Sequence, residues 1–211
     1  MTKEIESLER YTTWEEVAPP QNARFVDTKW VLKKKRDEHG KLVKFKARLT
    51  ARGFTQIPGL DYDETCSAVV RTDTIRPLLA HAVHHDLHTV QYDIESAYLN
   101  APLEDEIYIK PAPMVAITAG KVLRLRKSIY GLKQAARFWG ETLAAVLRQR
   151  RFLPSVADPA LYINHQLSEF VGVHVDDFLF VAKGENEFTS WLSTHLLQSS
   201  SLRMILAAGN R

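Results

Sequence analysis

Asp176 and Asp177 stand side by side in Phe170-Val171-Gly172-Val173-His174-Val175-Asp176-Asp177-Phe178-Leu179-Phe180-Val181, between two apolar runs of strand length. This pattern predicts a tight β-hairpin with both acids at its bend. Adjacent carboxylates repel, and a divalent cation held by their oxygens removes that repulsion. Asp is also a common turn residue on its own account. Asp93 closes a second predicted strand, Thr89-Val90-Gln91-Tyr92, 83 residues before Asp176. Three carboxylates at strand ends suit two cations roughly 3.5–4 Å apart, one activating a hydroxyl and one holding a triphosphate and its leaving pyrophosphate. Mg²⁺ needs only a few carboxylates, because it keeps water and substrate oxygens as ligands. The protein's share of such phosphoryl transfer is positioning and charge neutralisation.

A second chemical feature lies upstream. Between Lys29 and Arg52 there are ten Lys/Arg (29, 33, 34, 35, 36, 41, 44, 46, 48, 52) against Asp37 and Glu38, a local charge of +8. The whole chain carries +3, so the remainder is 3 − 8 = −5. The cations alternate with Trp30, Leu32, Leu42, Val43, Phe45, Ala47 and Leu49. That alternation predicts strands over 29–36 and 42–50, joined by the turn Asp37-Glu38-His39-Gly40-Lys41. An ordered basic ribbon suits a polyanion, nucleic acid or nucleotide; a solvated basic face is the plainer alternative.

The remaining elements must hold these groups in place. A helix is expected from about Thr74, with Ile75, Leu78, Leu79, Ala82 and Val83 on one face and Pro77 confined to its first turn. A short helix opens near Ser96. Strands follow at Glu106–Lys110 and Val122–Leu125, with a loop from Pro111 to Gly120. Residues 127–134 lead into a long amphipathic helix striped by Ala135, Trp139, Leu143, Val146 and Leu147. His81/His85 and His84/His88 are one helical turn apart; without an H-E-x-x-H setting they read as a solvated face rather than a zinc site. At 211 residues and 45% hydrophobic content, the chain suits one soluble domain with a core or two small ones. No apolar run is long enough to cross a bilayer, and Met1-Thr2-Lys3-Glu4-Ile5-Glu6 has no signal-peptide character. The lone Cys66 excludes an internal disulfide and fits a reducing compartment.

Six blocks in order then resemble the reverse transcriptase of copia-type long-terminal-repeat retrotransposons. They are Lys29-Trp30-Val31-Leu32-Lys33; Lys46-Ala47-Arg48-Leu49-Thr50-Ala51-Arg52-Gly53-Phe54-Thr55-Gln56; Gly59-Leu60-Asp61-Tyr62-Asp63-Glu64-Thr65; Gln91-Tyr92-Asp93-Ile94-Glu95-Ser96-Ala97-Tyr98-Leu99-Asn100; Ser128-Ile129-Tyr130-Gly131-Leu132-Lys133-Gln134-Ala135; and Val175-Asp176-Asp177. The resemblance covers residues 14 to about 183.

It implies an α+β right-hand polymerase with fingers and palm, an antiparallel palm sheet and flanking helices. It implies RNA-directed DNA synthesis with two Mg²⁺ ions, an RNA template, a DNA primer and dNTPs, and no membrane. Asp93, Asp176 and Asp177 match the metal-binding catalytic triad. Tyr98 matches the aromatic gate against a ribose 2′-hydroxyl; a core aromatic would have the same spacing. Gln134 matches a glutamine that touches the incoming nucleotide; a surface residue at a helix start is the alternative. Lys46 and Arg52 are similar in position to residues gripping the triphosphate, with Arg48 a rival. A cytoplasmic or particle-associated location is implied, with a nuclear one as alternative.

The expected organisation is a polar lead-in over residues 1–24, a fingers–palm domain over 25–183 and a divergent tail over 184–211. His174 replaces the family's Tyr, Ala101 a Gly, Cys66 and Ala68 a Phe and a Pro, and Ala136 another Pro. The match fades after about His195. A truncated or degenerate copy, without the primer-gripping end of the palm, thumb or ribonuclease H domain, is therefore expected. A non-catalytic nucleic-acid-binding remnant is the alternative to an active enzyme.

Overall fold

The computed structural model describes residues 1–184, Trp191, Thr194 and the backbone of a strand at 202–208. In chain order the elements are α1 (Thr2–Arg10), β1 (Trp14–Val17), β2 (Phe25–Val26), β3 (Thr28–Arg36), β4 (Leu42–Ala51), α2 (Thr72–His84), β5 (His88–Ile94), α3 (Ala97–Asn100), β6 (Tyr108–Ile109), β7 (Val122–Leu125), α4 (Ala135–Gln149), β8 (Leu153–Pro154), β9 (Leu161–Asn164), β10 (Glu169–His174), β11 (Asp177–Ala182) and β12 (Leu202–Ala208). A 3₁₀ turn, Gly53–Thr55, follows β4. The mixed α+β class expected from the sequence is the class observed. The chain divides into two compact units, each built from separated segments: Met1–Thr65 with Ala101–Phe138, and Cys66–Asn100 with Trp139–Arg211.

The first unit carries a four-stranded sheet, β1-β7-β6-β2, and the isolated ribbon β3-β4. Residues 1–24, expected as a polar lead-in, hold α1 and β1. β1 pairs antiparallel with β7, placing Glu15 opposite Arg124; the Glu15 carboxylate binds Arg124 Nε at 2.5 Å and Arg126 Nη2 at 2.6 Å. Leu8 of α1 is buried, and the Glu4 carboxylate accepts the Leu49 N–H of β4 at 3.3 Å. The strand expected over 106–110 shrinks to β6, which pairs parallel with β2 on one side and antiparallel with β7 on the other.

The second unit is built on a six-stranded sheet, β12-β5-β11-β10-β9-β8. β5 alternates, burying Val90, Tyr92 and Ile94 and leaving Gln91 and Asp93 half-buried. That is the period-2 pattern of a sheet with one packed face. Val171, Val173, Phe178, Phe180 and Val181 of the β10–β11 hairpin are buried. Leu78 and Ala82 of α2 pack with Leu87 and Val181. The stripe Trp139, Leu143, Val146 and Leu147 of α4 is buried as the periodicity predicts. The expected divergent tail lies largely outside the described residues; β12 pairs antiparallel with β5.

Two local expectations need correction. α2 begins at Thr72, not near Thr74, so Pro77 sits beyond the first turn. The reason is a remote cap: buried Asp158 accepts the Arg71 N–H at 3.0 Å and the Thr74 hydroxyl at 2.5 Å. Burial works to raise the Asp158 pKa. Those bonds, the Ala160 N–H and the Arg71 charge outweigh it and hold the carboxyl below its ordinary range. The second correction concerns the hairpin bend, which is Val175-Asp176 rather than Asp176-Asp177. His174 pairs with Asp177, so Asp177 is the first residue of β11.

Candidate active site

That one-residue shift places the carboxylates. In the register of β11 on β5, Asp177 is the direct cross-strand partner of Asp93. Side chains of directly opposed residues leave the sheet on the same side, with Cβ atoms about 4.5–5.5 Å apart. Asp176, in the bend beside them, accepts the Ile94 N–H on its carbonyl at 2.9 Å. Asp93, remote in sequence, is thus brought to the corner of the sheet that carries Asp176 and Asp177, and all three are half-buried. The next partner in the row is His174, exposed and opposite Asp177 across the hairpin.

The bend itself is unusual. Val175 has φ +58°, a left-handed backbone that is a true outlier for a β-branched residue. A positive φ at the first of two bend positions is the type II′ arrangement, which normally takes glycine there. The Trp139 indole N–H donates to the Val175 carbonyl at 2.7 Å. The helical periodicity alone marks Trp139 as apolar stripe. Its signal was present: a buried indole N–H requires an acceptor. Strain of this kind persists where surrounding contacts over-determine the backbone, commonly at functional sites.

The donor set is all oxygen and suits a hard divalent cation. Asp93 and Asp177 are like charges directly opposed across β5 and β11, an arrangement that positive charge beside them relieves. Among the described residues no three His, Cys, Asp or Glu side chains form a ready metal cage, and Mg²⁺ does not require one because it retains water and substrate oxygens. His81 and His84 of α2 and His85 just beyond it are exposed, as a solvated face requires, but His88, expected one helical turn on from His84, is instead the half-buried first residue of β5. The His81 and His85 rings lie 4.3 Å apart and the His84 and His85 rings 4.7 Å. Burial first, then the charges of His81, His84 and Lys183, push the His85 pKa down. Tyr98 is half-buried on α3, between buried Ala97 and Leu99.

The cations belong to the first unit. The β3–β4 register sets Lys33 opposite Lys46, Lys35 opposite Lys44, Val31 opposite Arg48 and Lys29 opposite Thr50. One ribbon face therefore carries six cations. The other carries Trp30 with Leu49, Leu32 with Ala47 and Lys34 with Phe45. Near the tip that second face is open, with Leu32 65% and Phe45 71% exposed. Opposed lysines repel; burial, then Arg48, Lys35 and Lys44, push the Lys46 pKa down, while Glu4 opposes them. An anion on this face would relieve that repulsion. Arg48 is already engaged, its guanidinium 4.2 Å above the Tyr130 ring. Arg52 is exposed, with its N–H bonded to the Asp27 carbonyl at 2.7 Å. Gln134, for which the sequence offered a nucleotide contact or a surface position, is 0% exposed and fully engaged inside the first unit.

A mixed α+β chain with paired carboxylates on an antiparallel sheet and a basic ribbon is the outline of a nucleic-acid polymerase domain. Comparison makes this specific. Residues 11–198 match the family model described as reverse transcriptase (RNA-dependent DNA polymerase). The chain is similar to the retrovirus-related Pol polyprotein from transposon TNT 1-94 of Nicotiana tabacum, 38% identical over 87% of this chain and 14% of that protein. It is also similar to the Pol polyproteins from transposons RE2 and RE1 of Arabidopsis thaliana, 38% and 37% identical over 85% of this chain and 13% of each. The chain belongs to the reverse transcriptase family of copia-type transposon Pol polyproteins. It spans about one seventh of the length of these relatives.

Proposed function

We propose that this chain performs RNA-directed DNA synthesis, with the second unit as palm and the first as fingers. The observation that carries the reading is the Asp93–Asp177 cross-strand pair with Asp176 in the adjoining bend. Asp93, Asp176 and Asp177 would hold two Mg²⁺ ions. When bound, these would activate a primer 3′-hydroxyl and neutralise the dNTP triphosphate and departing pyrophosphate. The chain's own residues do the positioning. Hairpin pairing and the Trp139 bond fix the backbone of the bend that carries Asp176 and Asp177. The basic ribbon face, Lys46 included, supplies diffuse charge for template–primer phosphates, and exposed Arg52 a planar fork for the triphosphate. Tyr98 would exclude a ribose 2′-hydroxyl.

The test is Mg²⁺-dependent extension of oligo(dT) on poly(rA). Asp176→Asn should abolish it, because a cation-binding charge is lost. Extension by the Asp176→Asn protein equal to wild type would reject the reading. If wild type binds template–primer with steep salt dependence but never extends it, the non-catalytic remnant is the better account. His174→Tyr then becomes the informative variant, since His174 adjoins Asp177 in the same row.

A further inference from the structure

The segment after β4 is pinned in an uncommon way. Ala51 donates its N–H to the Tyr130 carbonyl at 2.8 Å. A Cβ on Gly53 would lie 2.0 Å from the Gly131 carbonyl oxygen, and one on Gly131 would lie 2.1 Å from that of Ala51. Gly131 also has φ +91°, a conformation glycine alone adopts readily. The peptides on either side of Arg52 therefore rest directly against the Gly131 peptide. Just beyond, two buried glutamines close the contact. Gln56 Oε1 accepts the Lys133 N–H at 2.8 Å, and Gln56 Nε2 donates to Gln134 Oε1 at 3.1 Å. Gln134 Nε2 donates both its hydrogens, to the Asp61 carbonyl at 2.9 Å and the Asp105 carboxylate at 2.8 Å. Two acceptors facing one amide nitrogen settle the orientation of that amide. Gln134 has no donor left and no exposed surface to offer a ligand.

We propose that Gln56 and Gln134 form a clasp that positions Arg52, so that Gln134 supports nucleotide binding through the clasp rather than by touching the nucleotide. Gln56 is thereby a positioning residue. The idea rests on the reading of Arg52 as a triphosphate contact. The network is fully satisfied, so removing either partner strands buried polar groups of the other.

Tripolyphosphate binding to the whole 211-residue chain, measured by calorimetry well below the unfolding temperature, is the test. Gln56→Ala and Gln134→Ala should each weaken it, roughly five- to tenfold by loss of one buried hydrogen-bond partner. The double variant should be no weaker than the worse single, because both break one clasp. Gln56→Asn should recover none of the affinity, since its shorter arm cannot span Lys133 and Gln134 together. Loss with Gln134→Ala but not with Gln56→Ala, or additive losses, would overturn the clasp. Undiminished binding by Arg52→Ala would instead overturn the triphosphate reading. The clasp is then judged by amide exchange at Lys133, which Gln56→Ala should accelerate; unchanged exchange there rejects it.

Discussion

Asp93 and Asp177 oppose each other across β5 and β11, and the register of β12 sets Arg203 opposite Asp93 on its other side. Like charges directly opposed are destabilising, and positive charge between them offsets that. The pair is thus an expected stability–function trade. Asp177→Asn should raise stability by about 0.2–1 kcal/mol in chelator and low salt. On the proposed reading Mg²⁺ should raise the wild-type melting temperature, and this variant should lose most of that rise. Thermal unfolding with and without Mg²⁺ reads both effects. Val175 makes a related point. Its positive φ costs about 1–3 kcal/mol, and glycine there costs about 0.5–1 kcal/mol in chain entropy. Val175→Gly should therefore be neutral to stabilising in denaturant titration. It should lower primer extension, because the bend beside Asp176 loses its fixed geometry.

At the scale of elements, α1 and the basic ribbon meet at Glu4. Burial raises the Glu4 pKa above 4.5, against the Leu49 N–H and the charges of Arg48 and Lys46, which lower it. A carboxyl with a raised folded-state pKa binds more protons folded than unfolded between the two values. Its favourable contribution is present below the unfolded pKa and is lost as pH rises through the folded one. Glu4→Gln removes that pH dependence and keeps an oxygen to accept from Leu49. The variant should match wild type near pH 4 and melt higher at pH 7. It should also bind polyanions more tightly, since a negative charge near Lys46 and Arg48 is gone. Equal melting temperatures across that range would show that burial of Glu4 carries no cost.

For the whole molecule, the two units give the proposed activity two separable parts. Lys46→Ala should weaken template–primer binding and make the salt slope shallower by about one, the contribution of one phosphate contact. It should leave the Mg²⁺-dependent thermal shift in place. Asp176→Asn should do the reverse, abolishing extension while leaving the salt dependence of binding unchanged. Filter binding from low to high salt, with thermal shift on the same proteins, checks the pattern. A shift in both readouts from either variant would contradict the separation. On the proposed reading, the uneven charge, +8 over residues 29–52 against −5 elsewhere, would make the ribbon the dominant source of polyanion affinity.

Much of this was legible in the residues themselves. Alternation wrote the ribbon strands, the apolar flanks wrote the β10–β11 hairpin, and a 3.6-residue stripe wrote α4. Six blocks in family order marked Asp93, Asp176 and Asp177 for chemistry. These signals are local, and local periodicity survives in the sequence because each element must bury one face. Tertiary structure alone decided what depends on partners far along the chain. Sheet order set Asp177 opposite Asp93 and moved the bend to Val175-Asp176. A carboxylate 87 residues away caps the start of α2 at Arg71. A glutamine 78 residues away bonds Gln134 in the interior, at a helix start that by position alone could be surface. A hydrogen-bond partner supplied across a closed loop leaves no periodic trace in either segment, so only the folded chain reveals it.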